Sequence, residues 1–153
     1  MRAQLSEDSL TKANAQFWEQ MLDMRLDPVP ITEEFCVGKG HLRASVGFSG
    51  EWTGRIEVRL ARGLGIAATA TMMMQPESAV TEADVLDAIR EIANIVGGVI
   101  KSSLPQPCLM TLPESGVAPD AICVKEQASV ALAVAFRHGS GGLMVRVWEG
   151  DSE

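Results

Sequence analysis

The spacing of apolar positions changes along the chain, and each change marks a different element. From about Ser9 to Arg25, Leu10, Ala13, Phe17, Met21 and Leu22 recur every three or four residues with Lys12, Glu19 and Asp23 between them, which predicts an amphipathic helix. Pro28 and Pro30 stop it, because the ring removes a donor and steers the preceding residue away from helical dihedrals. Between Ile31 and Leu60 the spacing shortens to two. Leu42, Ala44 and Val46 alternate with Arg43 and Ser45, and Ile56, Val58 and Leu60 alternate with Glu57 and Arg59, so each segment is predicted as a strand with one wet face. The tract Phe48-Ser49-Gly50-Glu51-Trp52-Thr53-Gly54 joins them as an antiparallel pair. A short helix rich in Ala and Met is predicted over Leu64 to Met74, with Met72-Met73-Met74 as core filler at its end.

The best-defined helix starts at Thr81, an N-cap with Glu82 and Asp84 in the first turn where the helix dipole favours negative charge. It is expected to run to about Leu104, where Pro105 and Pro107 end it. Cys108 to Leu112, Ala121 to Lys125, Ser129 to Arg137 and Leu143 to Trp148 follow, separated by Pro113, Pro119 and Gly139-Ser140-Gly141-Gly142, and at least three of these segments are predicted strands. Val130, Leu132, Val134 and Phe136 alternate with Ala131, Ala133 and Ala135, the pattern of a central strand with helix-compatible alanines on one face. The last two segments form a hairpin. With neither an internal repeat nor a shift in composition, the expectation is one α+β domain over residues 1–153, with an ordered core over about residues 8–149. Long helices pack on one face of a mainly antiparallel sheet.

At 46% hydrophobic and 22% charged, the 153 residues carry enough apolar material for a packed core. The net charge of −7 excludes an electrostatic nucleic-acid binder, which needs clustered Lys and Arg, and favours a basic partner surface. No apolar run reaches membrane-span length, and Met1-Arg2-Ala3-Gln4-Leu5 lacks the charged-then-apolar plan of a secretory signal, so a cytoplasmic protein with no membrane partner is expected. Cys36, Cys108 and Cys123 are odd in number and far apart, which predicts buried free thiols in a reducing compartment. His41 and His138 lack Cys, Asp or Glu at ligand spacing, so no metal site is expected and both read as surface or strand-end histidines. Gly38-Lys39-Gly40 is too short for a P-loop, and no Gly-x-Ser-x-Gly occurs. Trp52 and Trp148 read either as partner contacts or as caps at the rim of the core.

The chemistry concentrates on the long helix. At about 100° per residue, taking Asp87 as zero, Glu91 falls near 40°, Asn94 near 340°, Gly98 near 20° and Lys101 near 320°, all on one stripe. Val85, Ile89, Ile92, Val96 and Ile100 lie opposite, so the stripe faces solvent. An ordinary solvated face accounts for Asp87, Glu91 and Asn94. It accounts less well for Gly98, which costs about 1 kcal/mol relative to Ala in an exposed helix, and suits close approach by another backbone. Gly97, nearer the buried side, is explained by close packing of the helix against its own neighbour. An amide one turn from a carboxylate can orient a water while the carboxylate grips a cation, but offers no nucleophile of its own.

Asp87-Ala88-Ile89-Arg90-Glu91-Ile92-Ala93-Asn94-Ile95-Val96-Gly97-Gly98, continuing to Lys101, resembles the signature helix of the CheC/CheX/FliY phosphatases of bacterial chemotaxis, with the CheX-like subgroup closest in layout. That signature is an Asp or Ser, three residues, a Glu, two residues and an Asn, and all three positions match. The order of elements matches over most of the chain. A proline that the family carries downstream would fall on Val117, and Pro113 and Pro119 flank that position instead, as a change of loop length would give. One signature helix, where CheC-like members have two, implies one site per chain.

The resemblance implies a CheX-like fold and hydrolysis of the phospho-aspartate of a CheY-like response regulator. Asn94 would orient the attacking water and Glu91 would pair with the regulator's active-site Lys, with Asp87, Gly98 and Lys101 lining the partner contact. Any Mg²⁺ would belong to the regulator, so no cofactor of its own is expected. A homodimer through edge strands is implied by the same analogy. Two other readings stand beside this one: a non-catalytic docking module of the same fold in a chemotaxis, flagellar-switch or other two-component pathway, and a structural unit whose stripe meets only water.

Overall fold

Every strand pairing among the described residues is antiparallel, and the helices pack on one side of the main sheet. The computed structural model describes residues 5–30, 35–123, 131–139 and 141–150. Helix α1 (Glu7–Leu22) begins at Ser6, whose hydroxyl accepts from the Ser9 backbone N–H in a capping box. Strands β1 (Asp27–Val29) and β2 (Cys36–Val37) lead to the long strand β3 (His41–Gly50), which turns back as β4 (Gly54–Leu60). Helix α2 (Arg62–Met73) and a short 3₁₀ turn at Glu77–Ala79 precede helix α3 (Glu82–Lys101). Strands β5 (Cys108–Met110), β6 (Glu114–Ala118), β7 (Ile122–Cys123), β8 (Leu132–His138) and β9 (Gly141–Glu149) complete the fold.

The main sheet runs β1-β8-β9-β4-β3-β5, with β6 also pairing with β3. Strand β5 takes the Phe48–Gly50 end of β3 and β6 takes the His41–Ser45 end. The predicted α+β domain, the β3–β4 pair and the terminal β8–β9 hairpin are as the pattern implied. Leu42, Val46, Phe48, Ile56, Leu143 and Val145 point from the sheet into one core with Leu10, Trp18, Leu64, Ile89, Ile92 and Val96 of the helices.

Several expectations are corrected. Helix α1 ends at Leu22, with Asp23 left-handed at the C-cap, and its buried face holds Asn14 and Trp18 while Met21 is 64% exposed. Helix α3 stops at Lys101, short of Leu104, because the Gln106 side-chain amide donates to the Lys101 and Leu104 carbonyls and so closes the C-terminal turn. Of the methionine run only Met72 packs against the core: α2 ends at Met73, Met74 adopts φ 55° as its cap, and Met74 is 89% exposed. Strand β6 occupies the stretch between Pro113 and Pro119 that the sequence presents as a connection, and Val117 pairs there with Leu42. Strand β8 lies next to the edge strand β1, and its Ala135 face is covered by Phe35 and Val37, not by a helix. Lys125 and Ser129, at the ends of two predicted strands, and Val130 lie outside the described residues.

The cysteine expectation fails for two of the three. Cys36 and Cys123 are bonded to each other, 87 residues apart in sequence, because β2 and β7 pair in a small separate sheet that sets them directly opposite. Only Cys108 is a buried free thiol. Spacing alone cannot reveal such a pair, since the register of β2 on β7 is a tertiary property.

The face of the sheet away from the helices is wet only in part: Arg43 and Ser45 of β3 stay half-buried, while Glu57 of β4 and Arg146 of β9 are buried. Glu57 of β4 stands opposite Arg146 of β9 and accepts from it, the Nε bond being 3.0 Å. Arg59 adds a two-pronged bond to Glu57 at 2.9 and 3.1 Å. Arg59 also donates to Nε2 of His41 at 3.0 Å, which leaves the Nδ1 proton of His41 for the Gly38 carbonyl at 2.8 Å. His41 is thus a strand-end histidine but a buried one, not a surface one. Trp148 is gripped between the guanidinium groups of Arg55 and Arg146, 4.5 and 4.6 Å from its ring, and Trp52 packs edge-on against Phe48, so both tryptophans belong to the protein's own interior.

Candidate functional site

Helix α3 presents the site, and its mounting follows from its sequence. The Thr81 hydroxyl accepts from the Asp84 backbone N–H while the Asp84 carboxylate accepts from the Thr81 N–H, 3.1 and 3.0 Å, closing the N-terminus. Val85, Ile89, Ile92, Ala93, Val96 and Ile100 are buried on the sheet side. Gly97 explains how closely the helix lies: a Cβ there would come within 2.8 Å of Val46 Cγ2 and 3.4 Å of Met110 Sδ. That tight seat fixes the direction of everything on the far side.

On that far side Asp87, Glu91, Asn94 and Gly98 are exposed and Lys101 is half-buried, so all five predicted residues share one face. They differ in freedom. Asp87 is held in an ion pair by Arg90, which also donates to the Ser115 hydroxyl at 3.3 Å, and Ser115 in turn donates to the Leu86 carbonyl. Lys101 sits in the last turn, where a cation complements the helix dipole. Among the described residues neither the Glu91 nor the Asn94 side chain makes a hydrogen bond or ion pair within the chain. A Cβ on Gly98 would meet nothing within 4 Å, so no packing demand of this chain accounts for the glycine.

The arrangement therefore offers an unengaged carboxylate and, one turn on, an unengaged amide, both on a helix that cannot tilt without breaking its seat. The carboxylate attracts a cation and the amide can hold a water by accepting a hydrogen bond from it. Among the described residues no three His, Cys, Asp or Glu side chains converge as they would to hold a metal, and no helix is long and apolar enough to cross a membrane.

Reading the sequence left out the neighbours of Glu91. Met21, Met73 and Met74 border a groove of about 570 Å³ that has Asp84, Asp87 and Glu91 along its opposite wall. The methionine run just before Gln75-Pro76 was the available signal, because a run at a helix end leaves the fold as readily as it enters the core.

A family model described as chemotaxis phosphatase CheX matches residues 42–136. The chain belongs to the CheX family. Solved CheX structures share its fold over nearly the whole length. The CheX of Vibrio vulnificus is 15% identical with a TM-score of 0.72, covering 94% of this chain and 95% of its own. The CheX of Desulfovibrio desulfuricans is 18% identical with a TM-score of 0.70, covering 94% and 97%. A CheX–CheY complex with BeF₃ and Mg²⁺ from Borrelia burgdorferi contains a chain 14% identical, with a TM-score of 0.69, covering 94% and 97%. Among curated proteins no sequence matches. Membership of the family makes the chain a chemotaxis phosphatase relative, and at these identities the structural matches speak for the fold alone.

Proposed function

We propose that this chain hydrolyses the phospho-aspartate of a CheY-like response regulator, with Glu91 docking the regulator and Asn94 positioning the water. The observation that carries this reading is the pair itself: two polar side chains at the signature positions, exposed and unengaged, on a helix locked to the core. The existence of a CheX–CheY complex in the same family supports the choice of partner.

An acyl phosphate is already a reactive substrate, and its hydrolysis needs little beyond an aligned water. Glu91 pairs with the regulator's active-site lysine and sets the register of the two proteins. Asn94 then reaches the phosphoryl group from outside. Its carbonyl accepts a hydrogen bond from the water and holds the oxygen in line with the bond to be broken. The water oxygen bonds to phosphorus as the bond to the aspartyl oxygen breaks, giving free carboxylate and inorganic phosphate. Mg²⁺ stays with the regulator, and Asp87, already paired with Arg90, shapes the contact without moving a proton.

The test mixes the full chain with a CheY-like receiver, Mg²⁺ and a small-molecule phosphodonor, and follows phosphate release. Release above the receiver's own rate is expected, with a loss of at least about 100-fold in Asn94→Ala, which removes the water's anchor from an exposed site and leaves the fold intact. Release indifferent to Asn94→Ala would end the proposal. Binding without release would leave the docking module of the same fold.

A further inference from the structure

Glu91 has two settings at once. It belongs to the stripe with Asn94, and it also lines the groove between α1, α2 and α3. The other wall of that groove is apolar and unusually bare: Met21 and Met74 are among the most exposed large apolar side chains of the described residues, and Met73 joins them, with Phe17 and Ile95 beneath. Exposed methionines gathered in one groove adapt their shape to an incoming apolar surface.

From this we infer that the groove is the part of the docking surface that selects the receiver, taking an apolar side chain of the receiver that lies beside its active-site lysine. The inference rests on the reading of Glu91 and Asn94 as the receiver's docking pair. Charge and continuity both point to this occupant. Of the three carboxylates on the groove wall, Asp84 is engaged by the Thr81 N–H and Asp87 by Arg90, which leaves Glu91 as the one with neither a hydrogen bond nor an ion pair among the described residues. A partner that supplies a cation there must cover the groove, because the same carboxylate forms its wall. The chemistry it needs is a basic residue flanked by an apolar one. A second copy of this chain fits poorly, since at net charge −7 it would bring more acid to an acidic wall.

The groove and the amide then divide the work. Contacts made equally in the ground state and the transition state change KM alone, whereas loss of the positioned water changes kcat. With the full chain and a phosphorylated CheY-like receiver that it turns over, Met21→Ser combined with Met74→Ser is expected to raise KM at least about tenfold with kcat within about twofold, since each methionine loses a buried apolar contact of the complex. Leu112→Ser, equally bare but off the groove, serves as the control and leaves KM unchanged. Affinity for the receiver held in its active form by beryllofluoride falls in parallel. An unchanged KM in the methionine double variant, measured on a receiver that the unsubstituted chain does hydrolyse, overturns the groove and leaves the phosphatase standing. If no receiver is hydrolysed or bound by the unsubstituted chain, the phosphatase reading fails and takes the groove with it.

Discussion

On one face of the sheet, Leu42, Val46, Phe48, Ile56 and Val145 meet three helices through hydrocarbon alone, while on the other the same strands bury Glu57, Arg146 and His41 and join them through the half-buried Arg59 in a single hydrogen-bonded chain. The two faces fail differently. A hydrocarbon face loses stability in proportion to the atoms removed and is indifferent to charge. In the ionic face each member satisfies the next, so one deletion strands the rest: without Glu57, the guanidinium groups of Arg59 and Arg146 would face each other with no carboxylate between them.

The largest effect expected anywhere in the fold follows from that. Glu57→Ala should cost about 3–5 kcal/mol in urea unfolding, whereas joining Glu57→Leu to Arg146→Met should recover part of the loss, because the more deeply buried of the two stranded guanidinium groups goes with its partner. On the helix side, Ile92→Ala should cost about 2–5 kcal/mol with no second substitution of charge able to restore it. Equal losses in the single and double variants of the ionic face would erase the contrast.

A smaller effect separates the faces by pH. Burial holds the His41 pKa below its ordinary 6.5, with Arg59 and Arg146 pushing the same way against the Gly38 carbonyl and Glu57. A lowered histidine pKa means that the unfolded chain binds the proton more readily, so this contribution is whole above pH 6.5 and is lost as pH falls below it. For Glu57, burial alone would raise the pKa, but the bonds from Arg59 and Arg146 outweigh it and the net shift is down from 4.5. Its contribution is present above that value and lost as pH falls through the folded one. Both slopes have the same sign. The urea midpoint should therefore fall from pH 8 to pH 4, and His41→Gln should flatten the upper part of the curve. A flat midpoint in the unsubstituted chain would deny the ionic face any part in stability.

This contrast also decides what was legible in the sequence. Alternation along β3 and β4 located the strands and named the residues of the helix-facing side, because apolar spacing states which side is buried by hydrocarbon. It says nothing of charged side chains buried together. Glu57 and Arg59 therefore read as a wet face, since their partner Arg146 lies on β9, far along the chain. The Cys36–Cys123 bond and strand β6 escaped for the same reason, each being fixed by a distant strand. The candidate site was legible because it is local. Asp87, Glu91, Asn94 and Gly98 share a face by helix geometry alone, and the apolar residues of α3 dictate which way that face turns. The roles proposed for these residues rest on resemblance to the family signature, and of the methionines beside Glu91, carried by other helices, the sequence showed only the run before Gln75-Pro76.

The smallest effects lie in two adjacent glycines, and they bring the comparison onto the site helix. Gly97 faces the sheet, where a Cβ would press on Val46, so Gly97→Ala should lose about 1 kcal/mol net, the strain of overpacking exceeding the gain in helix propensity. Gly98 faces open space, and Gly98→Ala should gain up to about 1 kcal/mol, a rise of about 2–4 °C in melting temperature for a chain of this size. A substitution that stabilises the helix by removing its most flexible exposed position has no reason to be absent from a face that meets only water. If a receiver backbone settles against that position, the added methyl group holds it away from Asn94, and the stabler variant should be the poorer phosphatase, with a higher KM. Opposite signs in melting temperature and in catalytic efficiency from one methyl group identify a contact surface. A variant that is both stabler and fully active would return Gly98 to the ordinary solvated face and leave Glu91 and Asn94 to carry the docking alone.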